Sequence, residues 1–291
     1  MALSRLSTGG GQWVADLMRR RSGVGLSRGR LIGLLCPIVV VLGYFLLFPF
    51  VFLVLSSLQT DGHPWTLANY ARLLQGRRYL VATGVTVGLS AVVTVFAMVF
   101  AASLAFFLVR SDFRGKPLCR SLIVFPLSFP GIVVAFMIIV LFGNTGVVPH
   151  SIQAVFGRKA LNVAYTPIGL FLAYLYFSIP RAAVVLMASV EKIDRRIEEA
   201  ARTLGASAQQ TLWRVTLPAI HPALVATAGL VFATSMASFG TAYTLSQGNV
   251  LGILIFDEFT FAFNVQMASA LAVFLAAVTL ALLYMMQRVL R

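Results

Sequence analysis

The chain has 291 residues, of which 59% are hydrophobic and only 11% are charged, and its formal net charge is +14. With a mean hydropathy of +0.90, it carries too little charge to cover the surface of a soluble globular domain of this size. The basic residues are dispersed among segments between long apolar stretches, so the net charge does not indicate a nucleic-acid partner.

Six stretches of the chain contain no Asp, Glu, Lys or Arg. Each is at least as long as the ~20 residues that an α-helix needs to cross a bilayer, and none shows the two-residue alternation of a membrane β-strand. We predict spans over about 31–55, 80–109, 121–142, 161–180, 223–246 and 266–287. The predicted fold class is therefore an all-α integral membrane protein with one six-span domain, residues 31–291, after a basic tail, residues 1–30.

The basic residues are distributed unequally between the two sides of this predicted domain. With six spans, both termini share a side with the second and fourth loops, and that side holds 18 of the 23 Lys and Arg residues. Only five remain for the opposite side. Cytoplasmic loops carry such an excess of basic residues, so we expect both termini to be cytoplasmic.

Local features interrupt or flank some of the spans. Pro37 and Pro49 should break the first span, and Pro126 and Pro130 should kink or unwind the start of the third. Irregular backbone at membrane depth must be buried in protein or line a water-filled cavity. The kink at Pro126 and Pro130 is therefore either part of a cavity wall or a packing feature. Between the first two spans, residues 65–74 have helical spacing and a Trp that suits the outer membrane interface.

The fourth loop, about residues 181–222, is polar but strongly patterned. Apolar residues recur at helical spacing from Ile193 to Leu204, and Gly205 follows as a left-handed helix cap. Ser207 and Gln210 have the spacing of a capping box that starts a second short helix, which Pro218 should end. The pattern predicts a helix, a tight turn and a second helix, whose apolar face requires a partner.

This loop contains Glu199-Ala200-Ala201, then three residues, Gly205, nine residues, and Val215-Thr216-Leu217-Pro218. The spacing resembles the EAA loop of ABC importer permeases, with Val215 where that family usually has Ile. Shorter phrases, such as Arg114-Gly115-Lys116 and Ser178-Ile179-Pro180-Arg181, make the chain similar to polyamine-type permeases. Relatives that import 2-aminoethylphosphonate, ferric iron or thiamine are the alternatives.

The resemblance implies a transport subunit of the bacterial cytoplasmic (inner) membrane. Glu199, Ala200, Ala201 and Gly205 would form a docking turn for a cytoplasmic ATPase, with Glu199 facing a polar or basic edge of its groove. The implied partners are a second permease subunit, homologous or identical, two ATPase subunits, an extracytoplasmic solute-binding protein and membrane lipid. ATP and Mg would be used by the partner ATPase, and this chain would bind no cofactor.

The resemblance also places the fifth span along the translocation path. The candidate path residues are Ser235, Ser238, Phe239, Thr241, Tyr243 and Asp257. Hydroxyl groups in membrane helices often bond only to their own backbone or to a neighbouring helix, which is the alternative here. Asp257 and Glu258 could attract a cation, contact the binding protein or simply face water.

No feature of the chain indicates an enzyme. It has no G-x4-G-K-[ST] phosphate loop, and its three histidines fall in three different loops, so we expect no metal site. An ion-coupled secondary transporter is a less favoured function, because such carriers place charged residues within their spans. A membrane scaffold would not need the EAA pattern.

Overall fold

The computed structural model describes residues 28–60, 65–157, 163–245 and 248–289, so most of the predicted basic tail lies outside the described residues. The described residues form helices joined by turns. The helices are α1 (Arg28–Ser57), α2 (Ala68–Gln75), α3 (Arg77–Arg110), α4 (Lys116–Val124), α5 (Gly131–Phe142), α6 (Val147–Phe156), α7 (Pro167–Glu191), α8 (Arg195–Thr203), α9 (Ala208–Thr211), α10 (Leu217–Met236), α11 (Gly240–Thr244), α12 (Leu251–Thr260) and α13 (Val265–Val289).

Six helical segments are long and apolar enough to cross a membrane, which agrees with the predicted number. They are Val39–Ser57, Arg77–Arg110, Gly131–Phe156, Pro167–Glu191, Ala208–Met236 and Val265–Arg288. The bounds differ most in the third and fifth segments. These segments are identified by their length and apolar composition. In lipid, a helix satisfies its backbone hydrogen bonds internally, which is why such apolar segments are helical.

The described residues fall into two compact units, which meet in the chain between Phe52 and Leu53. In the first unit, Pro37 and Pro49 lie inside a continuous helix, so the expectation that they break the first span is wrong. A proline removes only one helical hydrogen bond, and long apolar helices tolerate that loss. Within this unit the rings of Tyr44 and Phe48 stack at 5.2 Å.

The second unit is built around α3 and α7. Ala97, Ala101 and Ala105 are fully buried at four-residue spacing on α3, and they share one core cluster with Ala182 and Ala183 of α7. Without a hydrophobic driving force between helices in lipid, such small residues stabilise packing by letting two backbones approach closely. Within the second unit, α2, α4, α5, α10, α11 and α12 each contact one or both of these two helices.

Helix α2 confirms the short helix expected after the first span. Its Asn69 is buried, and the side-chain amide donates to the carbonyls of Ser57 (3.0 Å) and Gln59 (2.8 Å), which lie at the end of α1 and just after it. Trp65 and Leu67 are exposed nearby. Asn69 therefore satisfies carbonyls at the end of α1 and just after it, and Leu73 of the same helix is fully buried in a core cluster.

The third segment is interrupted where its prolines predicted. Pro126 lies in a 3₁₀ turn, Phe125–Ser128, that follows α4, and Pro130 precedes the first residue of α5. The segment then continues beyond the expected end at residue 142, because a turn at 143–146 leads into α6. An uncharged stretch does not reveal such a turn, which explains the error in the bound.

The expected fifth span, residues 223–246, is wrong at both ends. Helical structure begins at Ala208, and α10 stops at Met236, before a break at residues 237–239 and the short helix α11. Helix α12 lies alongside α3, because Thr86 Oγ1 accepts from the Leu251 amide (2.9 Å) and Tyr79 donates to Glu258 (2.8 Å). The uncharged stretch from residue 215 to residue 256 therefore does not form one continuous span, because its last residues belong to α12, which lies beside α3.

Candidate functional site

The EAA segment, defined here as residues 194–218, begins with a capped helix. The side chain of Asp194 accepts a hydrogen bond from the Arg196 amide (3.0 Å), which satisfies one of the free donors at the start of α8. At the other end Gly205 has a φ of +90°, the left-handed conformation that the sequence predicted. The amides of Gly205 and Ala206 donate to Arg202 O (2.9 Å) and Ala201 O (3.1 Å), which together form a Schellman motif.

The turn leads directly into a second capped helix. The Ser207 hydroxyl accepts from the Gln210 amide (3.2 Å), and the Gln210 side chain accepts from the Ser207 amide (2.9 Å). This is the reciprocal capping box that the spacing predicted. Two adjacent caps hold the tight turn between α8 and α9 in one conformation.

Pro218 does not end this second helix, contrary to the sequence-based prediction. A π-helical turn, Leu212–Thr216, connects α9 to α10, and the Leu217 amide donates to Leu212 O across five residues. Pro218 lies in the first turn of α10, where a missing amide donor is tolerated. The helix therefore continues into the fifth membrane segment.

A polar cluster joins the EAA segment to the rest of the bundle. Arg110 Nη2 lies 2.8 Å from Glu198 Oε1, and the Thr216 hydroxyl donates to the same oxygen at 3.0 Å. The Arg195 side chain donates to the Val109 carbonyl (2.9 Å) at the end of α3. Glu198 and Arg110 could not be predicted as site residues from the sequence, and Thr216 stood out only as part of the EAA spacing, because their chemistry is ordinary and only the fold brings them together.

A second polar contact lies beside this cluster. Lys116 donates to the exposed Asp112 carboxylate (3.0 Å), and Arg195 lies 3.8 Å from it. The hydrogen bond from Lys116, followed by the charges of Lys116 and Arg195, lowers the pKa of Asp112. Asp112 therefore stays ionised at neutral pH, and any contribution of this contact would be lost as acid protonates it.

The residues of the motif itself face outwards. Glu199 and Ala200 are exposed, and the Glu199 side chain has no hydrogen-bond or ion-pair partner among the residues that the structure describes. Leu204 is 89% exposed, and Ile197 and Trp213 are 54% and 64% exposed. Other motif residues are exposed or partly buried, namely Ala201, Gly205, Val215, Leu217 and Pro218. The segment thus presents apolar side chains that nothing in the described chain covers.

The candidate path residues of the fifth span lie around the break after α10. Ser235 and Thr241 are 1% and 0% exposed, and neither hydroxyl has a hydrogen-bond partner among the described residues. The Ser238 carbonyl accepts from the buried Tyr174 hydroxyl (2.7 Å), which anchors the break to α7. In contrast, Thr234 bonds only to its own helix backbone.

Aromatic rings and paired acids occupy the remaining candidate positions. The rings of Phe239 and Tyr243 both contact the ring of Phe256, with centroids 5.1 Å from it in each case, the first tilted and the second edge-on. Asp257 lies 3.2 Å from Arg78, the second residue of α3. Sequence reasoning missed this pair because its members are 179 residues apart. Asp257 therefore already has a cationic partner.

The contact between α5 and α11 gives a testable prediction. A Cβ atom added to Gly131 would lie 2.6 Å from Thr241 Oγ1, so we expect Gly131→Ala to destabilise the protein by about 1–3 kcal/mol. Thermal unfolding of purified protein measures the effect. Thr241→Ala alone should leave the stability nearly unchanged. The double variant Gly131→Ala with Thr241→Ala should recover most of the stability that Gly131→Ala loses. Additive destabilisation in the double variant would contradict this packing.

Comparison with known proteins identifies the chain's relatives. Residues 95–291 match the family described as the binding-protein-dependent transport system inner membrane component. The chain is 33% identical over 216 residues to a chloroplastic sulfate permease of Chlamydomonas reinhardtii, covering 72% of this chain and 57% of the relative. It is 30% identical over 235 residues to the sulfate permease CysT of Escherichia coli, covering 79% and 83%.

A molybdenum permease, ModB of Escherichia coli, is 32% identical over 155 residues, covering 53% of this chain and 66% of the relative. The match thus spans less than two thirds of the Chlamydomonas and ModB relatives. A bacterial alginate ABC transporter, solved in complex with a periplasmic protein bound to an alginate pentasaccharide, has a similar fold. The TM-score is 0.77 at 19% identity, covering 90% of this chain and 93% of the solved chain.

The match to the family covers well over half of the chain, and CysT is matched over most of its own length. The six apolar helical segments agree with a membrane component. On this evidence the chain belongs to the family of binding-protein-dependent inner membrane components, the permease subunits of ABC importers.

Proposed function

We propose that the chain forms half of the translocation pore of an ATP-driven importer and docks on a cytoplasmic ATPase through its EAA segment. The observation that carries this proposal is the capped turn between α8 and α9, beside which Glu199, Ile197 and Leu204 are exposed. Isolated helices as short as α8 and α9 are unstable in water, so the caps indicate that the surface is held ready for a partner. The proposal places both termini in the cytoplasm.

The proposed mechanism uses ATP binding to close an ATPase dimer, which would draw two EAA segments together, one from each permease subunit. The pore would then open outwards to receive solute from an extracytoplasmic binding protein, and hydrolysis would reset it. Coupling requires that the two pore conformations bind the ATPase states with different free energies. The second subunit is either another copy of this chain or a homologue.

The test is reconstitution of this chain with its candidate ATPase, a second permease subunit and the binding protein in proteoliposomes. We expect ATP-dependent uptake, and hydrolysis that loaded binding protein stimulates. Uptake driven by an ion gradient without ATP would instead support a secondary transporter. Failure of the chain to co-purify with any ATPase would contradict the proposal.

For the solute, we propose a small oxyanion as the first candidate, because relatives of this chain are named for sulfate and molybdenum transport. Asp257 and Glu258 give little support to a cationic solute, because both already have partners. Asp257 is paired with Arg78, and Glu258 accepts a hydrogen bond from Tyr79. A polyamine remains the second candidate, followed by 2-aminoethylphosphonate, ferric iron and thiamine. Uptake of labelled sulfate, molybdate and putrescine by the reconstituted complex separates the first two candidates.

The proposed orientation predicts which positions an impermeant thiol reagent reaches from outside intact cells. After replacement of Cys36 and Cys119, a cysteine at Gly248 should react, whereas one at Ala206 or Lys116 should be protected. The reason is the excess of basic residues on the side of the second and fourth loops. Labelling of position 206 from outside would reverse the orientation and remove the proposed contact with a cytoplasmic ATPase.

A further inference from the structure

Helix α8 is attached to the bundle without an apolar core of its own. None of its nine residues is buried, and its apolar residue Ile197 is 54% exposed. Covalent connections join the EAA segment to α7 on one side and to α10 on the other. Helix α3 has no such connection, because Arg110 and Glu198 are 88 residues apart. Noncovalent contacts must therefore link α8 to α3.

One carboxylate oxygen provides the central link. Glu198 Oε1 lies 2.8 Å from Arg110 Nη2, on the last residue of α3, and accepts from Thr216 (3.0 Å), immediately before α10. Among the ion pairs of the described residues, this is the one in which both side chains are mostly buried, at 20% and 13% exposure. Exclusion of water strengthens an ion pair and fixes its geometry.

A second contact supports the same connection. Arg195, one turn before Glu198 on α8, donates to the Val109 carbonyl (2.9 Å). This carbonyl is one of the last four of α3, which lack a partner within the helix. Helix α8 is thus attached at two points, one turn apart, to the last two residues of α3, and at one point to the start of α10.

We propose that Glu198 is a positioning residue that transmits movement of α8 to α3 and α10, whereas its neighbour Glu199 faces the partner. This inference rests on the proposed function. When the ATPase displaces α8, the Glu198 cluster makes α3 move with it, and α3 carries the tight packing against α7. Without the cluster, α8 can follow the ATPase while α3 stays in place, so hydrolysis proceeds without transport.

The test measures solute transported per ATP hydrolysed in proteoliposomes with loaded binding protein. For Glu198→Ala we expect normal recovery of the ATPase with the permease and near-normal hydrolysis. Transport per ATP should fall by about tenfold or more, within the usual range of a coupling free energy. This ratio is informative because a purely structural defect would lower hydrolysis and transport together.

The matched control is Glu191→Ala, which breaks the ion pair with Arg120 (2.6 Å) between α4 and α7 without touching α8. Both side chains of that pair are more exposed, at 41% and 46%, so we expect transport per ATP to stay within about twofold of wild type. A charge exchange, Glu198→Arg with Arg110→Glu, should restore coupling that each single change removes.

The outcomes separate this inference from the proposed function. If the wild-type complex does not couple hydrolysis to uptake, the proposed function fails. If the wild type couples and Glu198→Ala retains its transport per ATP, only the role of Glu198 is wrong. Loss of ATPase recovery in Glu198→Ala would also overturn the inference, because Glu198 would then be a docking residue, and so would absence of rescue in the charge-exchange variant.

Discussion

Gly205→Val is expected to abolish solute uptake and the stimulation of the partner ATPase by loaded binding protein. Gly205 has a φ of +90°, which a β-branched residue resists by more than about 1–2 kcal/mol. A Cβ atom at this position would meet no other atom within 4 Å, so the effect comes from the backbone and not from a clash. Loss of this conformation removes the hydrogen bonds to Arg202 O and Ala201 O and turns α9 away from α8. Hydrolysis and uptake by the reconstituted complex measure the result.

Two control variants make this experiment specific. Ala206→Val changes the adjacent residue, which has an ordinary φ, and should leave stimulated hydrolysis close to wild type. Gly115→Val imposes similar backbone strain at a φ of +95°, again with no atom near the added Cβ, but at the start of α4. If Gly205→Val retains wild-type hydrolysis and uptake, the EAA segment is not the coupling element.

Leu204→Arg is expected to prevent recovery of the ATPase with the permease while leaving the permease folded. Leu204 is 89% exposed, so replacing it removes almost no packing contacts within the chain. A cation beyond the last turn of α8 interacts favourably with the helix dipole, which protects the local fold. A charge placed on an apolar docking surface should instead lose its hydration without a partner. Co-purification on a column and thermal unfolding of the permease alone measure the two effects separately.

Leu204→Met serves as the conservative control, because it keeps an apolar side chain of similar volume. We expect it to recover the ATPase as well as wild type does. Normal recovery with Leu204→Arg would show that the exposed end of α8 is not the docking surface. A large fall in the unfolding temperature of the isolated permease would show that Leu204 contributes to the fold.

Features that depend on neighbouring residues could be predicted from the sequence. The number of apolar segments follows from uncharged stretches long enough to cross a bilayer. The caps at Gly205 and Ser207 depend on residues within five positions of each other, so their conformations were predicted correctly. The interruption at Pro126 and Pro130 is local for the same reason.

Features that depend on distant residues were decided by the tertiary structure. Glu198 and Glu199 are chemically identical neighbours, and only the position of Arg110, 88 residues away, makes one a half-buried ion-pair partner and leaves the other exposed. Asp257 likewise has an ambiguous role until Arg78 is placed beside it. An uncharged stretch also does not show where a helix breaks, so the turn into α6 and the position of α12 beside α3 could not be derived. Helix caps and apolar spans are set by local hydrogen bonding and hydration, whereas ion pairs between elements and the course of the chain depend on packing.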